Sequence, residues 1–134
     1  MTPHTRDAVA TLARRAPVVI AADETLRAVA HTLWTESVGA LVVGDARHPV
    51  GVISERDVVT ALAQGADPDA VTAADVMTRH VISARLEDPL FDAASRMLDD
   101  AIRHLPVADE NGTVVGMVSI RDLVRPLLLD ALGG

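Results

Sequence analysis

The segment Val50-Gly51-Val52-Ile53-Ser54-Glu55-Arg56-Asp57-Val58-Val59 returns as Val115-Gly116-Met117-Val118-Ser119-Ile120-Arg121-Asp122-Leu123-Val124, with six of ten residues identical at a shift of 65. A repeat of this kind is one supersecondary unit that cannot bury its apolar face alone, so it constrains the architecture before any other feature. Upstream, Leu26, Val29, Ala30, Leu33 and Trp34 correspond to Leu90, Ala93, Ala94, Met97 and Leu98 at a shift of 64, which puts one extra residue in a connecting turn of the second copy. These positions follow i, i+3, i+4, i+7, i+8, the stripe of a helix with one buried face. Its start is marked by Asp23-Glu24-Thr25 in one copy and Glu87-Asp88-Pro89 in the other, since acids and Pro suit a helix N-terminus.

Before that helix, the short β-branched runs Val18-Val19-Ile20 and Val81-Ile82 predict a strand in each copy. After it come two more, at 40–43 with 49–53 and at 105–108 with 114–118; Asp109-Glu110-Asn111-Gly112 is a hairpin signal because Asn-Gly tolerates positive φ. Closing helices are expected over 55–64 and 120–132, the second kinked or split at Pro126. The fold class is therefore α/β (α+β), a tandem β-α-β-β-α repeat. Its parts are an N-terminal extension at 1–16, repeat one at 17–65, a linker at 66–80 opened by Gly65-Ala66-Asp67-Pro68-Asp69, and repeat two at 81–132. In the extension, Val9, Leu12 and Ala13 predict a short amphipathic helix over 6–15 docking on the body. A copy of roughly 55 residues has little core of its own. Packing the two sheets about a pseudo-two-fold axis is expected to bury their aliphatic strands and to leave two related clefts.

Composition narrows the chemistry. The chain of 134 residues has Trp34 and Phe91 as its aromatic residues, no Tyr, and a net charge of −7, so it offers neither stacking platforms nor a basic field for nucleic acid. Every cation among its 12 Lys+Arg is Arg, which removes Schiff-base lysine chemistry and the lysine-bearing phosphate loop; zero Cys removes thiol catalysis and zinc–thiolate sites. No apolar run is long enough to cross a bilayer, and the N-terminus is unlike a basic leader, so a cytoplasmic protein without membrane contact is expected.

The sharpest constellation is Gly-x-x-Ser-x-Arg-Asp, as Gly51, Ser54, Arg56, Asp57 and again as Gly116, Ser119, Arg121, Asp122. Each lies where a strand turns into a helix. One reading is structural: Ser followed three residues later by an acid is a capping box, of the order of 1 kcal/mol. The other is a ligand site. Gly in a strand lets something approach the backbone closely, Arg in a first helical turn opposes the dipole while offering a phosphate fork, and a carboxylate that accepts two vicinal hydroxyls recognises ribose.

These residues, with Asp75-Val76-Met77-Thr78 and Arg103-His104-Leu105-Pro106-Val107, make the chain from residue 17 to about 130 resemble a CBS-domain pair, the regulatory module named for cystathionine β-synthase. The resemblance implies an adenosyl ligand, AMP, ADP, ATP, S-adenosylmethionine or NAD, in clefts between the repeats, with no required cofactor. It implies ribose contacts at Ser54 with Asp57 and Ser119 with Asp122, and phosphate contacts at Arg56, Arg121, Arg103 and His104. The implied adenine pocket is Val19, Ile20 and Leu41 in one copy and Val81, Ile82, Leu105, Pro106 and Val107 in the other. Gly39-Ala40 stand where Arg103-His104 do, so the two sites are expected to grip phosphate unequally. Arg14-Arg15-Ala16-Pro17 stand in the first copy where the second has its Met-Thr segment, which sets its adenine edge apart.

His4, His31, His48, His80 and His104 show no ligand spacing, so metal binding is not expected; His104 stands out as a phosphate contact. No nucleophile–base pair or metal cluster stands at recognisable spacing, and an enzyme is not expected. The reading is a stand-alone sensor that binds an adenine nucleotide, forms a homodimer and acts on an unidentified protein target. The competing reading is a ligand-free dimerisation module whose capping boxes are only caps.

Overall fold

A computed structural model describes residues 6–133, and the chain divides into two units: Pro17–Val81, and the described residues up to Ala16 together with those from Ile82 on. His4 lies outside the described residues. Among the described residues no helix is long and apolar enough to cross a membrane.

The Pro17–Val81 unit holds β1 (Val19–Ile20), α1 (Leu26–Glu36), β2 (Ala40–Gly44), β3 (Pro49–Ser54), α2 (Glu55–Ala63) and α3 (Ala73–Val76). The sheet order is β1-β2-β3, with β1 parallel and β3 antiparallel to the central strand. Helix α1 starts where Thr25 Oγ1 accepts the Ala28 amide at 3.2 Å and ends at Ser37, whose left-handed φ of 55° stops the ladder. The predicted stripe is its inner face: Leu26, Val29 and Leu33 are buried with Leu41, Val43, Ile53 and Val58. Each large side chain so buried contributes about 1.5–3 kcal/mol. Trp34, at the stripe's fifth position, is instead 81% exposed.

The segment 66–80, expected as a linker, is packed into this unit. The Leu26 amide donates to the Val71 carbonyl at 2.9 Å, the Ala73 amide to that of Glu24 at 2.8 Å, and Thr78 exchanges two backbone bonds with Val52 at 3.0 and 2.9 Å. Arg27 adds a two-pronged ion pair to Asp69, Nε to Oδ1 at 2.6 Å and Nη2 to Oδ2 at 3.0 Å. That hydrogen bonding holds the Asp69 carboxyl below its ordinary range. A lowered folded-state pKa adds stability above the unfolded value and loses it as pH falls through the folded one. Asp69→Asn is therefore expected to flatten the fall of the melting temperature below about pH 4, which thermal unfolding across pH would read.

The second unit repeats the plan. A single 3-10 turn at Val9–Thr11 precedes β4 (Ala84–Arg85), α4 (Leu90–Asp99), β5 (His104–Ala108), β6 (Val114–Ser119) and α5 (Ile120–Ala131), with sheet order β4-β5-β6. Its core gathers Val9, Ala84, Leu90, Ala93, Met97, Leu105, Val107, Val118 and Leu123. The extra residue of this copy lies in the hairpin: Asp45 to His48 join β2 to β3, and Asp109 to Thr113 join β5 to β6. Asp109 Oδ1 braces that turn by accepting the Asn111 and Thr113 amides at 2.9 and 3.0 Å, while Gly112 takes φ +80°.

Three expectations are corrected here. The N-terminal helix over 6–15 is one 3-10 turn, tied down by the Val9 amide on the Asp88 carbonyl (2.7 Å) and by the wholly buried Val9. Helix α5 runs unbroken through Pro126, which is itself buried, so packing outweighs the local break. The strand expected at Val81-Ile82 starts later, at Ala84. In the first unit the Val42 amide donates to the Val18 carbonyl at 3.0 Å and holds the chain there. The matching residue of β5 is Pro106, which has no N–H to offer Ile82, and pairing begins at Ala84 with Val107.

The isolated bridges Thr25 to Thr72 and Ala8 to Pro89 are copies of each other: 8 and 72, like 25 and 89, differ by 64. The extension and the supposed linker are thus the same repeated segment. Residues 6–16 pack in the unit that carries the second copy's body, and 72–80 in the unit that carries the first's.

Candidate functional site

Both Ser-x-Arg-Asp motifs sit where the sheet's last strand becomes the closing helix, and the two are superimposable in their bonding. Ser54 Oγ accepts the Asp57 amide at 3.2 Å and Asp57 Oδ2 accepts the Ser54 amide at 2.8 Å. Ser119 and Asp122 repeat this at 3.2 and 2.8 Å. The capping-box reading is therefore right for both copies. It does not use up the acids. Only Oδ2 of each carboxylate is engaged, and among the described residues neither Oδ1 accepts a hydrogen bond. An ionised carboxylate has acceptor sites on both oxygens, so a diol can still be bound at Oδ1. The box fixes the rotamer that presents it.

The motif glycines have a different role from the one expected. A Cβ on Gly51 would stand 2.5 Å from Met77 Sδ and 2.8 Å from the Thr78 carbonyl oxygen; on Gly116 it would stand 2.8 Å from Ala13 Cβ. What approaches these backbones is the chain's own repeated segment, not a ligand. The same contacts correct the placing of the Met-Thr segment: Met77-Thr78 lies against the motif of the first copy, and Ala13 takes the corresponding place at the second.

The basic pair Arg103-His104, at the start of β5, is brought to the second motif. His104 is the register partner of Ser119, and the Ile120 amide donates to the Arg103 carbonyl at 2.8 Å. In the first copy Ala40 faces Ser54 and the Glu55 amide donates to the Gly39 carbonyl at 3.0 Å. Arg56, Arg103 and Arg121 are exposed and His104 is half-buried. Among the described residues no group of three His, Asp or Glu converges to hold a metal ion.

The expected adenine residues divide by strand face. Ile20, Leu41, Leu105 and Val107 belong to the cores of their own units, the last three 0% exposed, so they cannot line an open pocket there. Ile82 packs half-buried on the second core, Val81 is half-buried, and Val19 is exposed. Because side chains alternate along a strand, Val42 and Pro106 point to the face opposite those cores. Both are buried all the same, Val42 at 0% exposed, so neither opens onto solvent.

A profile of the CBS domain matches residues 9–64 and 73–129. An uncharacterized protein of Methanopyrus kandleri is 34% identical over 119 residues, which is 87% of this chain and 61% of that protein. The chain spans 54% to 66% of the length of three curated relatives it matches. Among solved structures, a CBS domain protein from Pyrobaculum aerophilum complexed with AMP shares 36% identity and a TM-score of 0.84, over 95% of this chain and 99% of that one. Another CBS domain pair, in complex with 5′-methylthioadenosine and S-adenosyl-L-methionine, gives 28% identity and 0.81 over 90% and 98%. With both copies matched from points 64 residues apart, the chain belongs to the CBS domain family and carries the domain as a tandem pair.

Proposed function

We propose that this chain is a regulatory module that binds an adenosyl ligand at its repeated motif, Ser54 with Asp57 and Ser119 with Asp122, and relays occupancy to a second copy of itself and to a protein target. The observation that carries the reading is the Oδ1 of each capping carboxylate, which accepts no hydrogen bond among the described residues and is held in place by its own box. The AMP-bound relative supports the ligand class. Arg121, Arg103 and His104 at the second motif supply the charge for a 5′-phosphate, while at the first Arg56 stands alone between two acids. Of the expected adenine neighbours, exposed Val19 and half-buried Val81 and Ile82 have surface to offer, whereas Leu41 and Leu105 have none. Exposed Val59 and Leu62 on α2, with Val124, Leu127 and Leu128 on α5, offer apolar surface for a second copy. A ligand shifts that association only through different affinities for the two states.

Calorimetric titration with AMP, ATP, NAD and S-adenosylmethionine tests the reading. Binding of at least one, with a raised melting temperature, is the expected result, since ligand at about 100 times its Kd adds about 2.7 kcal/mol. Asp122→Ala is expected to remove one binding event and, through the lost cap, about 0.5–2 kcal/mol of stability. No heat and no thermal shift with any of the four would leave the ligand-free dimerisation module, whose caps are only caps.

A further inference from the structure

The two motifs are alike in bonding and opposite in charge. Around the first, Glu55 and Asp57 stand against Arg56, leaving one negative charge; the strand facing Ser54 begins with Ala40, and Gly39 before it is uncharged too. Around the second, Arg103 and Arg121 stand against Asp122, leaving one positive charge before His104 is counted. Two separate substitutions make this difference, Gly39-Ala40 against Arg103-His104 and Glu55 against Ile120. Both act in the same direction. The backbone bond from the first helical amide to residue 39 or 103 sets these positions at the same place beside each helix start, at 3.0 and 2.8 Å.

We infer that the two repeats select adenosyl ligands by tail charge: repeat two takes a ligand with an anionic 5′-phosphate, and repeat one takes an adenosyl group whose 5′ substituent is neutral or cationic. This rests on the reading that each motif holds an adenosyl ligand, and deepens it. A ribose diol makes the same demand of Asp57 and Asp122, so it does not discriminate. The 5′ substituent does. A phosphate dianion beside Arg103 and Arg121 gains charge-assisted hydrogen bonds, whereas beside Glu55 it meets a like charge. Both sites are open to water, so the preference is screened by salt and amounts to about tenfold, not many orders of magnitude.

The test uses the full chain and three probes: AMP, adenosine and S-adenosylmethionine, titrated calorimetrically at low and high salt. Asp57→Ala leaves repeat two to be read, and Asp122→Ala leaves repeat one. In the Asp57→Ala chain AMP is expected to bind about tenfold tighter than adenosine, the margin shrinking with salt. In the Asp122→Ala chain AMP is expected to bind no tighter than adenosine, and S-adenosylmethionine at least as tightly as AMP. Adding Arg103→Gly and His104→Ala to the Asp57→Ala chain should bring its AMP-to-adenosine ratio to that of repeat one. The ratio is read within one chain, so a loss of folded fraction cancels. Equal ratios in the two single variants overturn the inference while the adenosyl-binding reading stands; no binding of any probe to the unaltered chain overturns both.

Discussion

Leu41→Ala is expected to destabilise the chain by about 2–5 kcal/mol, the range for emptying a well-packed leucine site. Leu41 sits on the central strand β2, is 0% exposed, and packs with Val29, Leu33, Val43 and Ile53. A strand held on both sides by backbone pairing cannot collapse into the space left, so the cavity cost adds to the lost transfer energy. For a unit of this size each kcal/mol moves the melting temperature by roughly 4–8 °C, so a drop of about 10 °C or more is expected without ligand. Urea unfolding of the unligated variant checks it. Were Leu41 a pocket residue, as its place in the sequence suggested, the variant would unfold near the parent midpoint and lose ligand affinity instead.

Gly51→Ala is expected to cost about 1–3 kcal/mol, the usual range for forcing a methyl into filled space. Met77 is flexible and can move its sulfur aside; the Thr78 carbonyl cannot. That oxygen accepts the Val52 amide at 3.0 Å while the Thr78 amide donates back at 2.9 Å, so relieving a 2.8 Å contact means opening this pair. Gly116→Ala meets Ala13 Cβ at 2.8 Å on a segment that, among the described residues, makes no such pair with β6, and is expected to cost less. Equilibrium unfolding of both variants, with hydrogen exchange at the Thr78 amide, gives the order. A neutral Gly51→Ala would mean that this strand needs its glycine for something other than the chain's own segment.

How much of this was legible beforehand follows from the range of each interaction. Helix α1 and the second hairpin were readable because they rest on neighbours within a few residues: a stripe at helical spacing, a start marked by Asp23-Glu24-Thr25, the Asp109 to Gly112 turn. The Ser–Asp boxes were readable for the same reason, being bonds between residues three apart. Val81-Ile82 was misread because its apolar character is local, whereas the loss of pairing comes from Pro106 on another strand. Leu41 was misassigned because a buried strand apolar on both faces shows no alternation, and only its neighbours tell which side meets the helices.

Taken alone, the residue order determined that the chain is a doubled β-α-β-β-α unit, that each copy ends in a capped helix bearing an acid and an Arg, and that only one copy carries a basic pair before its central strand. The tertiary structure decided that matching repeated segments pack against Gly51 and Gly116, and that each acid keeps one oxygen uncommitted among the described residues. It also decided which aliphatic residues are core. Periodicity and capping are set by bonds a few residues long, while these outcomes depend on contacts between residues tens of positions apart, which no local pattern records.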